Sequence, residues 1–485
     1  VNTRARRTLR IIGLSLLALV GVVVTIGVLA QRDKGELAPW HTERLETEFR
    51  ARMARDGDFD WADYLQLEER LFRELDEQLV DPSGELANPH WGRFAPAGTS
   101  NPANFPRNWN RSFEFESASP IGAVLLLHGL TDSPYSLRRT GEILHERGYH
   151  VLGLRLPGHG TAPSELRDAS LKDWRAAIRI AAAHLQEVLG EGGELLLAGY
   201  SNGGALAIDY TIDSLDDESL RVPDRLILFS PAIGVSRMAV LARAHHVLSF
   251  MPYFKKLEWG GIMPEYDPYK YNSFPTDAGY ETHLLTGSVR KRLAQLQQRG
   301  ASADFPPVLS FMSLADATVK VEAVVSALYD RLARPENELV IFDVNRRSTM
   351  RDFFRLDPAV RLQELKDRPT TPYRLTVLSN RDDQSDSVLV GTRAAGATEF
   401  EESDPGLEWP RGIYSLSHVA TPFPQDDPVY GLVPPPEGAL DLPLGRLEPR
   451  GERGLLSVPV THLTRLRSNP FFPYVERRLA ELGAP

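Results

Sequence analysis

Read by the spacing of its apolar positions, the chain changes character several times. Residues 11–30, from Ile11 to Ala30, carry no charged side chain. About 20 helical residues rising 1.5 Å each reach across the roughly 30 Å apolar core of a bilayer, so a transmembrane helix is predicted there. From 37 to 81 the period is helical. Leu45, Phe49 and Met53 recur every four positions, and Tyr64, Leu67, Leu71, Leu75 and Leu79 follow at three and four with charges between them. Two amphipathic helices broken near Gly57 are predicted, and the acidic side chains on their polar faces favour packing on the rest of the chain over a membrane surface. Asn88 to Arg111 is rich in Pro, Asn and Gly and reads as an irregular connection.

A regular alternation follows. Apolar runs at Ala123–Leu127, His150–Leu154, Leu195–Ala198, Arg225–Phe229, Val308–Phe311 and Leu339–Phe342 read as strands, separated by helical stretches such as Leu137–Arg147 and Leu171–Leu189. This is the pattern of an α/β fold, a mainly parallel sheet with helices on both faces. Ligands of such sheets sit at the carboxyl ends of the strands. Two segments interrupt the alternation. Residues 235–305 carry Phe250, Tyr253, Phe254, Trp259, Met263, Tyr266, Tyr269, Tyr271 and Phe274 in helical and Pro-broken sequence, which suits a helical cap whose aromatics mostly form its own core. Residues 344–412 form a second insertion with strand-like pieces at Leu375–Leu378 and Val388–Val390. The predicted organisation is a basic segment at 1–10, the anchor at 11–30, a helical extension and linker at 31–111, and the α/β domain in two parts at 112–234 and 306–343. The cap at 235–305 separates those parts, and the insertion at 344–412 precedes a C-terminal segment at 413–485, with a Pro-rich stretch from Pro434 to Pro449 and a last helix from about Pro473.

Charge narrows the partners. The net charge is −10, with no basic stripe beyond the N-terminal segment, which argues against nucleic acid. The absence of cysteine excludes disulfides, thiolate metal sites and a cysteine nucleophile. Arg4, Arg6, Arg7 and Arg10 precede the apolar segment, whereas Arg32 and Lys34 after it are offset by Asp33 and Glu36. The positive flank is expected in the cytoplasm. The expectation is a single-pass protein of the inner membrane, with its catalytic domain on the export side, periplasmic or extracellular. A signal peptide cleaved after Val28-Leu29-Ala30 is the alternative; the length of the apolar run favours an uncleaved anchor.

The candidate chemistry centres on Gly199-Tyr200-Ser201-Asn202-Gly203-Gly204, where a buried strand stops on Gly-x-Ser-x-Gly before the helix-like Ala205-Leu206-Ala207-Ile208. A serine there sits on a strained turn that the flanking glycines make possible. Its hydroxyl needs a base, and the base needs a carboxylate to fix its tautomer. Two histidines follow the strands. His418 ends a strand-like run and enters a Pro-rich loop, and is preferred to His462, which precedes a segment that reads as packing. For the acid, Asp316 stands in the loop beyond Val308–Phe311, while its rival Asp343 lies at the tail of its own strand. The oxyanion needs two fixed donors. The N–H of Asn202 is one, and the turn His128-Gly129-Leu130-Thr131-Asp132-Ser133-Pro134 offers the N–H of Leu130 as the other. His128 is expected to stabilise that turn and not to act as base, and Arg155-Leu156-Pro157-Gly158-His159-Gly160 reads as a structural loop.

Taken together, Leu126-Leu127-His128-Gly129-Leu130-Thr131-Asp132-Ser133-Pro134, Leu156-Pro157-Gly158-His159-Gly160-Thr161, Asp173-Trp174 and Gly199 to Gly204 resemble the α/β-hydrolase superfamily. The nearest branch is the serine aminopeptidase-like group that contains bacterial carboxylesterases and monoacylglycerol lipases. The resemblance covers about residues 120–330 and 412–430. It implies Ser201 as nucleophile, Asp316 as acid and His418 as base, in the chain order of that superfamily, with Leu130 and Asn202 as oxyanion donors and no cofactor or metal. One departure is that about seventy residues intervene between Phe342 and His418, where the family base follows its last strand closely. Proline iminopeptidases are also similar, but they carry His-Gly-Gly-Pro-Gly where this chain has His128-Gly129-Leu130-Thr131-Asp132. The expected function is a membrane-anchored serine hydrolase of carboxylic esters, with lipid-derived or medium-chain substrates. A peptidase or amidase of the same fold is the nearest alternative, and an anchored binding protein that kept the serine turn is an alternative of another class.

Overall fold

The computed structural model describes residues 34–482 apart from 56, 81–86, 191, 235–251, 356, 435–442 and 448–455. The basic segment and predicted anchor therefore lie outside the described residues, as does Phe250. Among the described residues, no helix is long and apolar enough to cross a membrane.

The strands are β1 (Phe113–Phe115), β2 (Gly122–Leu127), β3 (His150–Leu154), β4 (Glu194–Tyr200), β5 (Arg225–Phe229), β6 (Trp259–Gly261), β7 (Phe274–Pro275), β8 (Val308–Ser313), β9 (Glu338–Phe342), β10 (Arg374–Asn380), β11 (Val388–Arg393) and β12 (Glu401–Ser403). Ten of them make one sheet in the order β1-β3-β2-β4-β5-β8-β9-β10-β11-β12, while β6 and β7 form a separate ribbon. From β3 to β10 every pairing is parallel, and β1, β11 and β12 join antiparallel at the two edges. Strands β2, β3, β8 and β9 are buried along their whole length, as parallel strands covered on both faces must be. Alternate residues serve opposite faces. Ala123, Leu125 and Leu127 pack with the helices Leu171–Leu189, Asn202–Asp216 and Thr276–Gln298. Val124 and Leu126 pack on the other side with Arg138–Glu146 and Phe472–Ala480.

The extension before β1 corrects one expectation. The second predicted helix forms as Trp61–Gln78, capped by the Asp60 carboxylate on the Asp63 N–H and burying Trp61, Tyr64, Leu67 and Leu71. The first does not form. Only Pro39–Thr42 and a single turn at Ala51–Ala54 are helical. The reason lies in where the backbone donors go. Carboxylates from other elements take the N–H groups of Leu45 (Glu165, 2.8 Å), Glu46 and Thr47 (Glu74, 2.7 and 3.0 Å) and Ala51 (Asp173, 2.7 Å), so those donors are satisfied without an i−4 carbonyl. Leu45 and Phe49, spaced for one helical face, enter two different cores.

The insertion at 344–412 continues the main sheet. After β9 the chain runs through the helix Pro358–Lys366 to β10, parallel to β9, and then through β11 and β12. It returns to the point it left. Asn345 donates its backbone N–H to Tyr414 O and its side-chain amide to Ile413 O, both at 2.9 Å. Ser313 Oγ at the end of β8 donates to Leu416 O at 2.7 Å. The long departure between Phe342 and His418 is thus a closed detour, and in space His418 follows β9 closely.

Candidate active site

Ser201 stands between the end of β4 and the helix Asn202–Asp216 at φ 52° and ψ −111°, a conformation non-glycine residues rarely adopt. The surroundings enforce it. Ser201 N–H donates to Phe229 O at the end of β5, and Ser201 O accepts from Ala232 N, both at 2.9 Å. A side chain at Gly203 would come within 1.9 Å of Leu127 O, and one at Gly199 within 2.6 Å of Gly204 N. Both glycines are therefore required for the helix start to press against the ends of β2 and β4. The serine itself remains partly exposed while Asn202 is buried.

His418 begins a short turn, His418–Ala420, beyond the returning insertion. Its Nε2 lies 3.0 Å from Ser201 Oγ and its Nδ1 2.6 Å from Asp316 Oδ2. The other oxygen of Asp316 accepts the backbone N–H groups of Thr318 and Val319 at 2.7 and 2.8 Å. Burial alone would raise the Asp316 carboxyl; the His418 ring and those amides outweigh it and hold it below the ordinary carboxylate range. With Asp316 ionised, the geometry fixes the proton of a neutral His418 on Nδ1 and turns Nε2 toward the hydroxyl. Neither rival joins this hydrogen-bonded line. His462 is exposed. Asp343 is fully buried and engaged by Val344 N, Arg346 Nε and Ser379 Oγ.

The turn after β2 lies beside the serine because Gly203 packs on Leu127 and His128. Among the described residues, neither the Leu130 nor the Asn202 backbone N–H donates to the chain. His128 spans the turn, with Nδ1 2.9 Å from Gly129 O and Nε2 accepting from Leu156 N at 3.0 Å. Burial, with His159 nearby, depresses its pKa far below the ordinary value, so it is a neutral brace. His159 is a second buried ring, pushed by burial down to about 3, with Nδ1 on Pro157 O.

Above the strand ends is a pocket of about 190 Å³ whose wall includes Thr131, Val419, Phe423, Tyr271 and Tyr430. From the cap, Tyr266 and Tyr269 are buried in a cluster with Tyr135, Phe423 and Tyr430, and Tyr266 and Phe274 also line the pocket. Sequence reading did not single out the charged rim. Lys270 of the cap pairs with Asp132 of the turn after β2 at 2.7 Å, and Arg465 and His462 reach the same pocket from the C-terminal segment. Lys270 is one of several lysines in the cap segment, so nothing in the sequence marked that tie.

Comparison with known proteins places residues 118–351 in a match to the family model described as serine aminopeptidase, S33. A thermostable monoacylglycerol lipase of Bacillus sp. (strain H-257) is 32% identical over 115 residues, which is 24% of this chain and 44% of that protein. A carboxylesterase of Bacillus subtilis (strain 168) is 38% identical over 93 residues, 19% of this chain and 37% of that protein. The chain thus spans less than half the length of either relative. Among solved structures, the monoacylglycerol lipase of Paleococcus ferrophilus superposes with a TM-score of 0.36 at 20% identity, covering 48% of this chain and 88% of that one. With the serine turn after β4, parallel strands from β3 to β10, helices on both faces and the matched family model, the chain has the α/β-hydrolase fold.

Proposed function

We propose that the protein hydrolyses carboxylic esters through an acyl-serine intermediate on Ser201. The observation that carries the reading is the hydrogen-bonded line from Ser201 Oγ through both nitrogens of His418 to Asp316. In the proposed cycle, Ser201 Oγ attacks the ester carbonyl carbon as its proton passes to His418 Nε2. The oxyanion forms against the N–H groups of Leu130 and Asn202, and collapse breaks the bond to the alkoxide, which leaves with the proton from His418. Water then repeats the sequence on the acyl-serine and releases the acid. Asp316 stabilises the imidazolium in both halves.

The proposed substrates are medium-chain or monoacylglycerol-like esters. The aromatic wall of the pocket supports this, since each buried CH₂ of an acyl chain contributes about 0.8 kcal/mol. So does the likeness to a lipase and a carboxylesterase. Residues 11–30 are proposed as an anchor that holds the domain at the export side of the inner membrane, where lipid-derived esters are concentrated. A fluorophosphonate probe tests the nucleophile: it labels the wild type, and Ser201→Ala abolishes labelling. An ester series tests the substrate: kcat/KM rises from acetyl into the medium-chain range and exceeds that for aminoacyl amides. Faster cleavage of the amides would put a peptidase, which the family description favours, in first place.

A further inference from the structure

Far from the serine, three side chains from three elements converge at the β1 edge of the sheet. Glu114 lies in the middle of β1, His150 opens β3, and His184 stands on the helix Leu171–Leu189. Glu114 pairs with Leu152 across the two antiparallel strands, so His150, two residues away, emerges on the same face. Both rings present the same nitrogen to one oxygen. His150 Nε2 is 3.0 Å and His184 Nε2 2.6 Å from Glu114 Oε1, and one ligand atom from each of the three lies within 4.8 Å of the others. The His184 ring is held by Trp61, stacked at 5.8 Å.

We propose that Glu114, His150 and His184 bind a divalent transition-metal ion, Zn²⁺ in the first instance, as a structural clip. Two imidazoles and a carboxylate are a donor set zinc accepts, and bonds of about 2.0–2.2 Å in a tetrahedral arrangement separate the ligand atoms by roughly 3.3 Å. The spacings from Glu114 Oε1, 3.0 and 2.6 Å, are shorter than that, so the carboxylate has to turn away from both rings, most of all from His184, to admit the ion. The side chains of His184 and Glu114 are 24% and 20% exposed, which leaves a side open for a water as fourth ligand. On binding, each ring would give its Nε2 to the metal in place of Glu114 Oε1 and carry a proton on Nδ1. The ion would fasten β1, a three-residue edge strand that follows directly on the N-terminal extension, to β3 and to a core helix.

The test uses the full chain, stripped with a chelator and titrated with Zn²⁺ by calorimetry, and with Co²⁺ by visible absorption. The expected result is one ion per chain, a Co²⁺ band of low-coordinate type, and a Tm that rises with Zn²⁺. Glu114→Gln keeps the shape of the side chain and removes the charge; it weakens Zn²⁺ binding at least about tenfold, as does His184→Ala, while ester hydrolysis by the stripped protein is unchanged in both. Binding no tighter than about 100 µM in the wild type, or binding that Glu114→Gln retains in full, overturns the proposal. If His184→Ala fails to fold, the Glu114→Gln comparison alone decides it.

Discussion

His418 is gripped on both sides by groups with separate supports. Asp316 is fixed by two backbone amides and Ser201 by a strained turn. Removing the ring leaves both supports standing, so His418→Ala is expected to lower kcat by about 10³-fold or more while preserving the fold, and His462→Ala to change it little. Stopped-assay kinetics on the two variants checks this, and the opposite pattern would reject His418 as the base. A different residue contributes to the pH dependence of stability. Glu165 is pushed up to about 7 from 4.5, first by burial and then by the neighbouring Glu48. Below its ordinary value the carboxyl is neutral in both folded and unfolded chains and costs nothing. As pH rises from there to about 7, only the unfolded chain ionises freely, so this group subtracts stability and the loss is complete above that point. Glu165→Gln is therefore expected to flatten the fall. Its Tm relative to wild type should shift upward between about pH 5 and about pH 8, and a constant difference across that range would exclude the assignment.

Among the elements, the N-terminal extension is joined to β3 by charge as well as by apolar packing. Arg155, just beyond β3, is 1% exposed and binds Glu48 through both terminal nitrogens at 3.0 and 3.1 Å and Glu68 through Nε at 3.1 Å. Arg155→Met leaves two buried carboxylates without a counter-charge, which costs about 3–5 kcal/mol, and urea unfolding should register it. Adding Glu48→Gln and Glu68→Gln should recover part of that loss. Elements of this kind also mark the limit of what spacing reveals. The strands β2, β3, β4, β5, β8 and β9 were legible because a covered parallel strand is a bare apolar run. Strands β1 and β12, Phe113-Glu114-Phe115 and Glu401-Glu402-Ser403, are short and charged edge strands, and nothing in their composition separates them from loop. The segment around Leu45 to Ala51 has a helical period, yet carboxylates distant in sequence claim its backbone donors. Ser201 was readable from its turn, and Asp316 and His418 from their places after strands. The cluster of Glu114, His150 and His184 was not, because its members meet only when β1, β3 and a later helix are brought together.

For the molecule as a whole, the detour through residues 344–412 has a consequence in time. Its ends meet at Asn345 and Tyr414, so it returns His418 to the end of β9. It also lengthens the chain that must be gathered before the geometry around Ser201 exists. The two hydrogen bonds of His418 close loops of 217 residues to Ser201 and 102 to Asp316, and contacts of such high sequence separation form slowly because their loop entropy is lost before they contribute. The helices and the hairpin of β10 and β11 need no such closure. On dilution from denaturant, the far-ultraviolet signal should therefore return ahead of the proposed esterase activity, and a variant with residues 346–412 replaced by a short linker should narrow the lag if its exposed β9 edge remains soluble. The same stretch of chain that returns His418 to the end of β9 is thus expected to slow the assembly of the site.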